Sequence, residues 1–328
     1  LSVSDAPLDF ELAKLPDELM KNKISRRSLV LPESGRGDLS FDIIGSTGTG
    51  LDVNGSVSAR DVVLATINKE VRGVPFDVIT DLSYHYSLEK QLAEIKQYSI
   101  RLDDAEIAVT GYVDNITENA TANLSIQSSN MDMVKLNDIY PFVSQRNQFK
   151  PVDGHADMDL TVAGTMKEGF KLKGDISLNS FQVATLDGET EGRALDVSID
   201  LNEGITYNFH ENEINYDNIE LKVANNTIQL SGHIKNVTQI ERVLTTTIRS
   251  DAIDVRSIQE FFPFFDRFIP PTASYDGVFT LQANATGKMD GINIVGAFDF
   301  SQLDFVLPGF AKKTNNSPFD VEFSAGLN

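Results

Sequence analysis

The chain has 328 residues, 48 acidic against 28 basic side chains for a formal net charge of -20, and neither Cys nor Trp. Such a length predicts about two domains or one repeat array, and an apolar fraction of 41% is too high for a disordered chain. The acidic balance argues against nucleic acid as a partner, and the missing cysteines exclude disulfides, thiolate metal sites and cysteine nucleophiles together.

Residues 1–34 read as the tail of a preceding repeat and a connector. Asp5-Ala-Pro-Leu-Asp-Phe-Glu-Leu-Ala-Lys-Leu-Pro16 is a decayed copy of an element that returns twice below, and Lys21, Lys23, Arg26 and Arg27 read as a solvated connector. Asp5, Asp9, Glu11, Asp17 and Glu18 stand where a signal peptide would be apolar, and no run approaches the roughly 18 apolar residues of a membrane span.

Residues 35–150 form a first full unit. Arg36-Gly-Asp38 matches an adhesion tripeptide but reads as a tight turn before a strand, and Gly45-Ser-Thr-Gly-Thr-Gly50 is followed by Leu51, without the lysine of a phosphate loop. Strict alternation follows. Leu51, Val53, Gly55, Val57 and Ala59 oppose Asp52, Asn54, Ser56 and Ser58; Phe76, Val78, Thr80, Leu82, Tyr84 and Tyr86 oppose Asp77, Ile79, Asp81, Ser83 and His85. This is the period of strands with one dry face. Ile107 and Val109 begin a further such strand. Asp132 then reads as the N-cap of a short helix with apolar residues at Met133, Leu136, Ile139 and Tyr140, ended by Pro141.

Residues 151–270 repeat the pattern. Leu160 and Val162 alternate with Asp159 and Thr161; Phe170, Leu172, Gly174, Ile176 and Leu178 oppose Lys171, Lys173, Asp175 and Ser177; Leu195, Val197, Ile199 and Leu201 oppose Asp196, Ser198 and Asp200. Leu221, Ile228 and Leu230 continue the face. Asp254 caps a second helix carrying Val255, Ile258, Phe261 and Phe262, which Pro263 ends. The aromatic run from Phe261 to Ile269 returns a feature of Ile139 to Phe149, which favours packing at a junction over membrane insertion. Residues 271–328 start a further unit with Leu281, Ile292, Ile294, Gly296, Phe298 and Phe300, then Phe319, Val321, Phe323 and Ala325.

Matching segments of the units align without gaps. Gly55, Gly174 and Gly296 open matching segments spaced 119 and 122 residues apart, Ile107 to Thr117 matches Ile228 to Thr238 at a shift of 121, and Ile126 to Phe142 matches Ile248 to Phe264 at a shift of 122. The expectation is five or six strands per unit, with the chain entering and leaving mid-repeat as a piece of something longer. Glycines inside strands, at Gly55, Gly111, Gly174, Gly232 and Gly296, mark bends or close approaches and point to strong curvature.

Residues able to carry chemistry are sparse. His85, His155, His210 and His233 fall at no metal-ligand spacing, and the carboxylate pairs Asp157 with Asp159 and Asp103 with Asp104 read as ordinary solvated acids. No enzyme, metal site or cofactor is expected.

The strand pattern Leu51 to Val63, the Gly-centred strand Ile107 to Ile116 and the helix motif Ser129 to Pro141, with their copies, resemble the AsmA-like family, relatives of repeating β-groove lipid-bridge proteins. The resemblance implies a mainly β fold: an elongated, highly curved antiparallel sheet of repeated units forming a groove, with a short helix between units. It implies a periplasmic portion of a protein tethered to the inner membrane, moving or holding phospholipid or another acyl-chain lipid between inner and outer membranes, with partners reached through flanking segments. The groove residues are then Val53, Val57, Val78, Leu82, Tyr84, Ile107, Val109, Leu160, Val162, Leu172, Ile176, Val197, Ile199, Leu221, Ile228, Leu230, Leu281, Ile294 and Phe298. The alternative is a closed β-sandwich or solenoid scaffold or adhesin assisting outer-membrane assembly, since alternation reports only that one face is dry.

Overall fold

Alternation at period two leaves each strand one apolar edge of side chains and one polar edge, so neighbouring segments gain most by pairing in register with the apolar edges on one side. In the computed structural model the chain is mainly β, and all strand pairs described are antiparallel. It describes residues 2–7, 30–46, 48, 50–66, 71–141, 149–201, 203–239, 241–261, 272–288, 291–309 and 311–327. The chain divides into two compact units, Leu1–Asp157 and Met158–Asn328. None of the described helices is long and apolar enough to cross a membrane.

The first unit is a meander. Strands β1 (Ser2–Pro7), β2 (Val30–Ser46), β3 (Gly50–Thr66), β4 (Phe76–Ser87), β5 (Leu92–Leu102), β6 (Ala105–Asp114) and β7 (Thr121–Asp132) each pair with the next. Helix α1 (Met133–Ile139) follows. Strand β8 (Phe149–Thr165) spans the division between units.

In the second unit β9 (Gly169–Thr185) pairs with both β10 (Leu195–Asp200) and β11 (Ile205–Asn208), which together pair with β12 (Glu213–Val223). The ladder continues through β13 (Asn226–Lys235), β14 (Val243–Asp254), β15 (Ser274–Lys288), β16 (Gly291–Asp299) and β19 (Asp320–Leu327). Helix α2 (Val255–Phe261) follows β14, and β17 (Leu303–Leu307) with β18 (Ala311–Lys313) forms a side hairpin on the start of β15.

Element lengths repeat with the sequence. β3 and β9 have 17 residues each, β5 and β12 have 11, β6 and β13 have 10, β7 and β14 have 12, and both helices have 7. Two breaks depart from the alternation. The strand expected through Leu201 ends at Asp200 and resumes at Ile205, and the strand expected through Phe300 ends at Asp299, with a turn at residues 300–302 before β17. Arg36-Gly-Asp38 also differs from expectation, because it lies inside β2, with Gly37 paired to Ala59, rather than in a turn.

A bulge recurs at the same place in both full units. Asp61 and Ser180 adopt φ of 52° each, and their amides donate to Asp77 Oδ1 at 3.0 Å and Asp196 Oδ1 at 2.9 Å. An extra residue bends the bulged strand and increases its twist. Beyond the bulge the strand turns apolar residues into closed packing: Val62 clusters with Phe76 and Ile139, and in the second unit Phe181 packs against the cluster of Val197, Val223 and Phe261.

The helices complete these two clusters. Asp132 caps α1 by accepting from the Val134 and Lys135 amides at 2.9 and 3.1 Å, and Asp254 accepts from Arg256 N at 3.0 Å. The far ends then dock on the connections after β3 and β9, where Val74 N donates to Asp138 O at 2.9 Å and Arg193 N to Glu260 O at 2.6 Å. Gly73 and Gly192 face the Ile139 and Phe261 carbonyls so closely that neither position has room for a Cβ. Of the expected anchors, Ile258 is half-buried while Phe261 is the buried residue of α2; Phe262, the rest of the aromatic run to Ile269 and the basic cluster at Lys21 to Arg27 lie outside the described residues.

Candidate functional site

Residues paired across an antiparallel ladder project to the same face, so register shows whether the expected apolar positions meet. In the first unit they do. One rung runs Ile43, Val53, Tyr84, Ile95, Gly111, Leu124; the next runs Phe41, Gly55, Leu82, Tyr98, Val109, Ile126. A third runs Leu39, Val57, Thr80, Ile100, Ile107, Ser128, and a fourth runs Gly37, Ala59, Val78, Leu102, Ala105.

The second unit has equivalent rungs. Ile176, Ile199, Leu221 and Ile228 form one; Leu172, Ile205, Tyr216, Gly232, Thr246, Ala285, Ile294 and Ala325 form another. Leu230 continues through Ile248, Ala283 and Gly296 to Phe323, and Leu281 through Phe298 to Val321. Leu160 lies across from Gly174, with Val162 two residues on along β8.

Burial separates these positions into two kinds. Val53, Leu160 and Val197 are buried, at 5, 7 and 9% exposure. Val57 is exposed at 37%, and Val78, Leu82, Tyr84, Ile107, Val109, Val162, Leu172, Ile176, Ile199, Leu221, Ile228, Leu230, Leu281, Ile294 and Phe298 are half-buried. Side chains beneath an apposed second sheet would be buried like the residues under the helix ends. These keep part of their surface open.

The strand glycines let the ladder close up on this face. A Cβ on Gly111 would overlap the Asn123 carbonyl oxygen, and one on its repeat partner Gly232 would overlap that of Thr245. At Gly55 the space is taken by the ring of Phe41 from the next strand, and at Gly296 by the Ala283 Cβ, the Gln282 carbonyl oxygen and the ring of Phe323 together.

The opposite face is charged. Asp52 meets His85 Nδ1 at 3.0 Å and Lys96 Nζ at 3.3 Å, and these contacts, His85 first, hold its carboxyl below the usual range. Glu220 is lowered by Lys222, at 3.1 Å, and by Gln229. Members of the two acidic pairs have structural partners: Asp157 accepts from Asn130 N at 2.8 Å, Asp103 from Asp77 N at 3.2 Å, and Asp104 pairs with Lys135. Among the described residues no group of three His, Cys, Asp or Glu is placed to hold a metal ion.

Further members of the face escaped the sequence reading. Ile95 and Tyr98 are three apart because β5 carries a bulge between them, which hides the alternation, whereas Leu39, Phe41 and Ile43 alternate openly and were legible. Compared with protein-family models, curated proteins and solved structures, the chain matches none.

Proposed function

We propose that the chain holds and passes acyl-chain lipid along the apolar side of its sheets and performs no covalent chemistry. One observation carries this reading: the apolar positions are continuous by register from strand to strand in each unit, yet most remain half-open. Hydrocarbon laid on such a face removes apolar area from water at about 25 cal/mol per Å², while polar headgroups stay hydrated at the margin. The resemblance of the repeats to the AsmA-like family supports the same reading. In it the chain is a periplasmic portion of an envelope protein tethered to the inner membrane, carrying phospholipid between inner and outer membranes.

The closed scaffold requires those same side chains to be covered, and the two closed clusters of buried residues lie instead beneath the helix ends. Native mass spectrometry of the chain purified from a bacterial host tests the proposal. Mass additions that fragment to phospholipid or fatty acid are expected. A chain that carries none, and takes up none from phospholipid vesicles, is not a lipid carrier.

A further inference from the structure

Each apolar face has two unlike margins, because antiparallel hairpins put alternate connections on opposite edges. At one margin of the first unit, Val62, Phe76 and Ile139 form a closed cluster into which Ala59, Val78 and Leu102 extend from the face. At the same margin of the second, Val197, Val223 and Phe261 are joined by Leu178 and Leu221. Open face and closed cluster are thus continuous apolar surface.

The other margin is aromatic and only partly buried. In the first unit Tyr84 and Tyr86 end the face beside the β4–β5 turn, and both are half-buried. In the second, Phe170, Tyr207 and Phe209 pack edge-on at 5.6 and 4.6 Å, and the Tyr207 hydroxyl reaches Asn212 at 3.5 Å. Tyrosine suits a border where the ring is dry and the hydroxyl hydrated. From Val78 to Tyr86, and from Leu178 to Phe170, the strand advances roughly 26 Å at about 3.3 Å per residue. One leaflet of acyl chains spans about 15 Å, half of a bilayer core of about 30 Å. An acyl chain therefore fits along the strands between the two margins.

We infer that the helix ends at Ile139 and Phe261 are stops for acyl-chain termini, so that a bound lipid lies along the strands with its methyl end at the helix and its polar end at the hairpin margin. This rests on the lipid-holding reading above. Ile139 and Phe261 then determine how long a chain fits, acting by filling space at the closed end. The same construction, with a helix carbonyl docked on a glycine and an apolar side chain thrust into the cluster, occurs in both units.

Because the chain has no Trp, single Trp variants report position without background. Tyr86→Trp marks the hairpin margin and Thr80→Trp the approach to the helix. Stearic acid brominated near its carboxyl end should quench Trp at position 86 more than at position 80, and stearic acid brominated near its methyl end should do the reverse. Equal or inverted quenching overturns the inference, whereas no quenching by either probe at either position overturns lipid binding itself. As a second measurement, Phe261→Ala should shift the fatty acids retained in native mass spectra toward longer chains, with Phe261→Leu giving a smaller shift if the alanine variant does not fold. An unchanged length distribution in a folded variant removes the role of stop.

Discussion

At the scale of single residues, Leu172 and Val197 look alike in sequence, since each is an apolar residue between polar neighbours on an alternating strand. The structure separates them. Leu172 is half-buried and pairs with Ile205 on the open face, while Val197 is 9% exposed and packs with Val223 and Phe261. A carboxylate at position 172 can still reach water, whereas one at position 197 is buried without a partner. Leu172→Asp is therefore expected to keep its circular dichroism spectrum and melt close to the parent while losing bound lipid. Val197→Asp should lose on the order of 3–5 kcal/mol of stability. If both unfold together, the face is closed and the scaffold reading gains. Alternation made the shared face legible, but it carries no information on which inward positions a distant helix covers.

At the scale of elements, the alternating strand segments and the two caps were legible because they rest on local signals: period two, Asp before an apolar helical spacing, Pro after it. The breaks after Asp200 and after Asp299 were not, because the apolar pattern runs straight through each, from Ile199 to Leu201 and from Phe298 to Phe300. Their causes lie elsewhere. Gly204 adopts a φ of +86°, and the buried Lys313 ammonium donates to the carbonyls of Ser301, Leu303 and Thr314 at 3.2, 2.8 and 3.2 Å, pinning the second turn from β18. Helix α1, by contrast, depends on its cap and on its dock. Asp132→Ala should cost about 1 kcal/mol, the usual worth of an N-cap. The loss should appear as faster amide exchange at Val74, whose amide donates to Asp138 O, as well as in the helix itself. Fraying of the helix with Val74 still protected would mean that the β3–β4 connection holds without it.

At the scale of the whole molecule, a chain that leaves apolar side chains half-open must stay dispersed by charge, and here a formal net charge of -20 supplies it. That charge depends on pH in two stages. The net charge falls toward zero at the sequence pI of about 4.5. Asp52, Asp104 and Glu220 are held lower by His85, Lys135 and Lys222, and Asp299 by Ser301. A carboxyl whose folded pKa lies below its unfolded value contributes stability that is present above that unfolded value, 3.8 for the Asp groups and 4.5 for Glu220, and is lost as pH falls through the lowered value. On acidification net charge should therefore fade before these contacts fail. Light scattering is expected to rise near pH 4.5 while the circular dichroism spectrum and melting temperature still match those at neutral pH. Filling the face with acyl-chain lipid beforehand should suppress that rise, because the associating surface is then covered. A melting temperature that drops ahead of association would instead assign the aggregation to unfolding, and the half-open face would not be its cause.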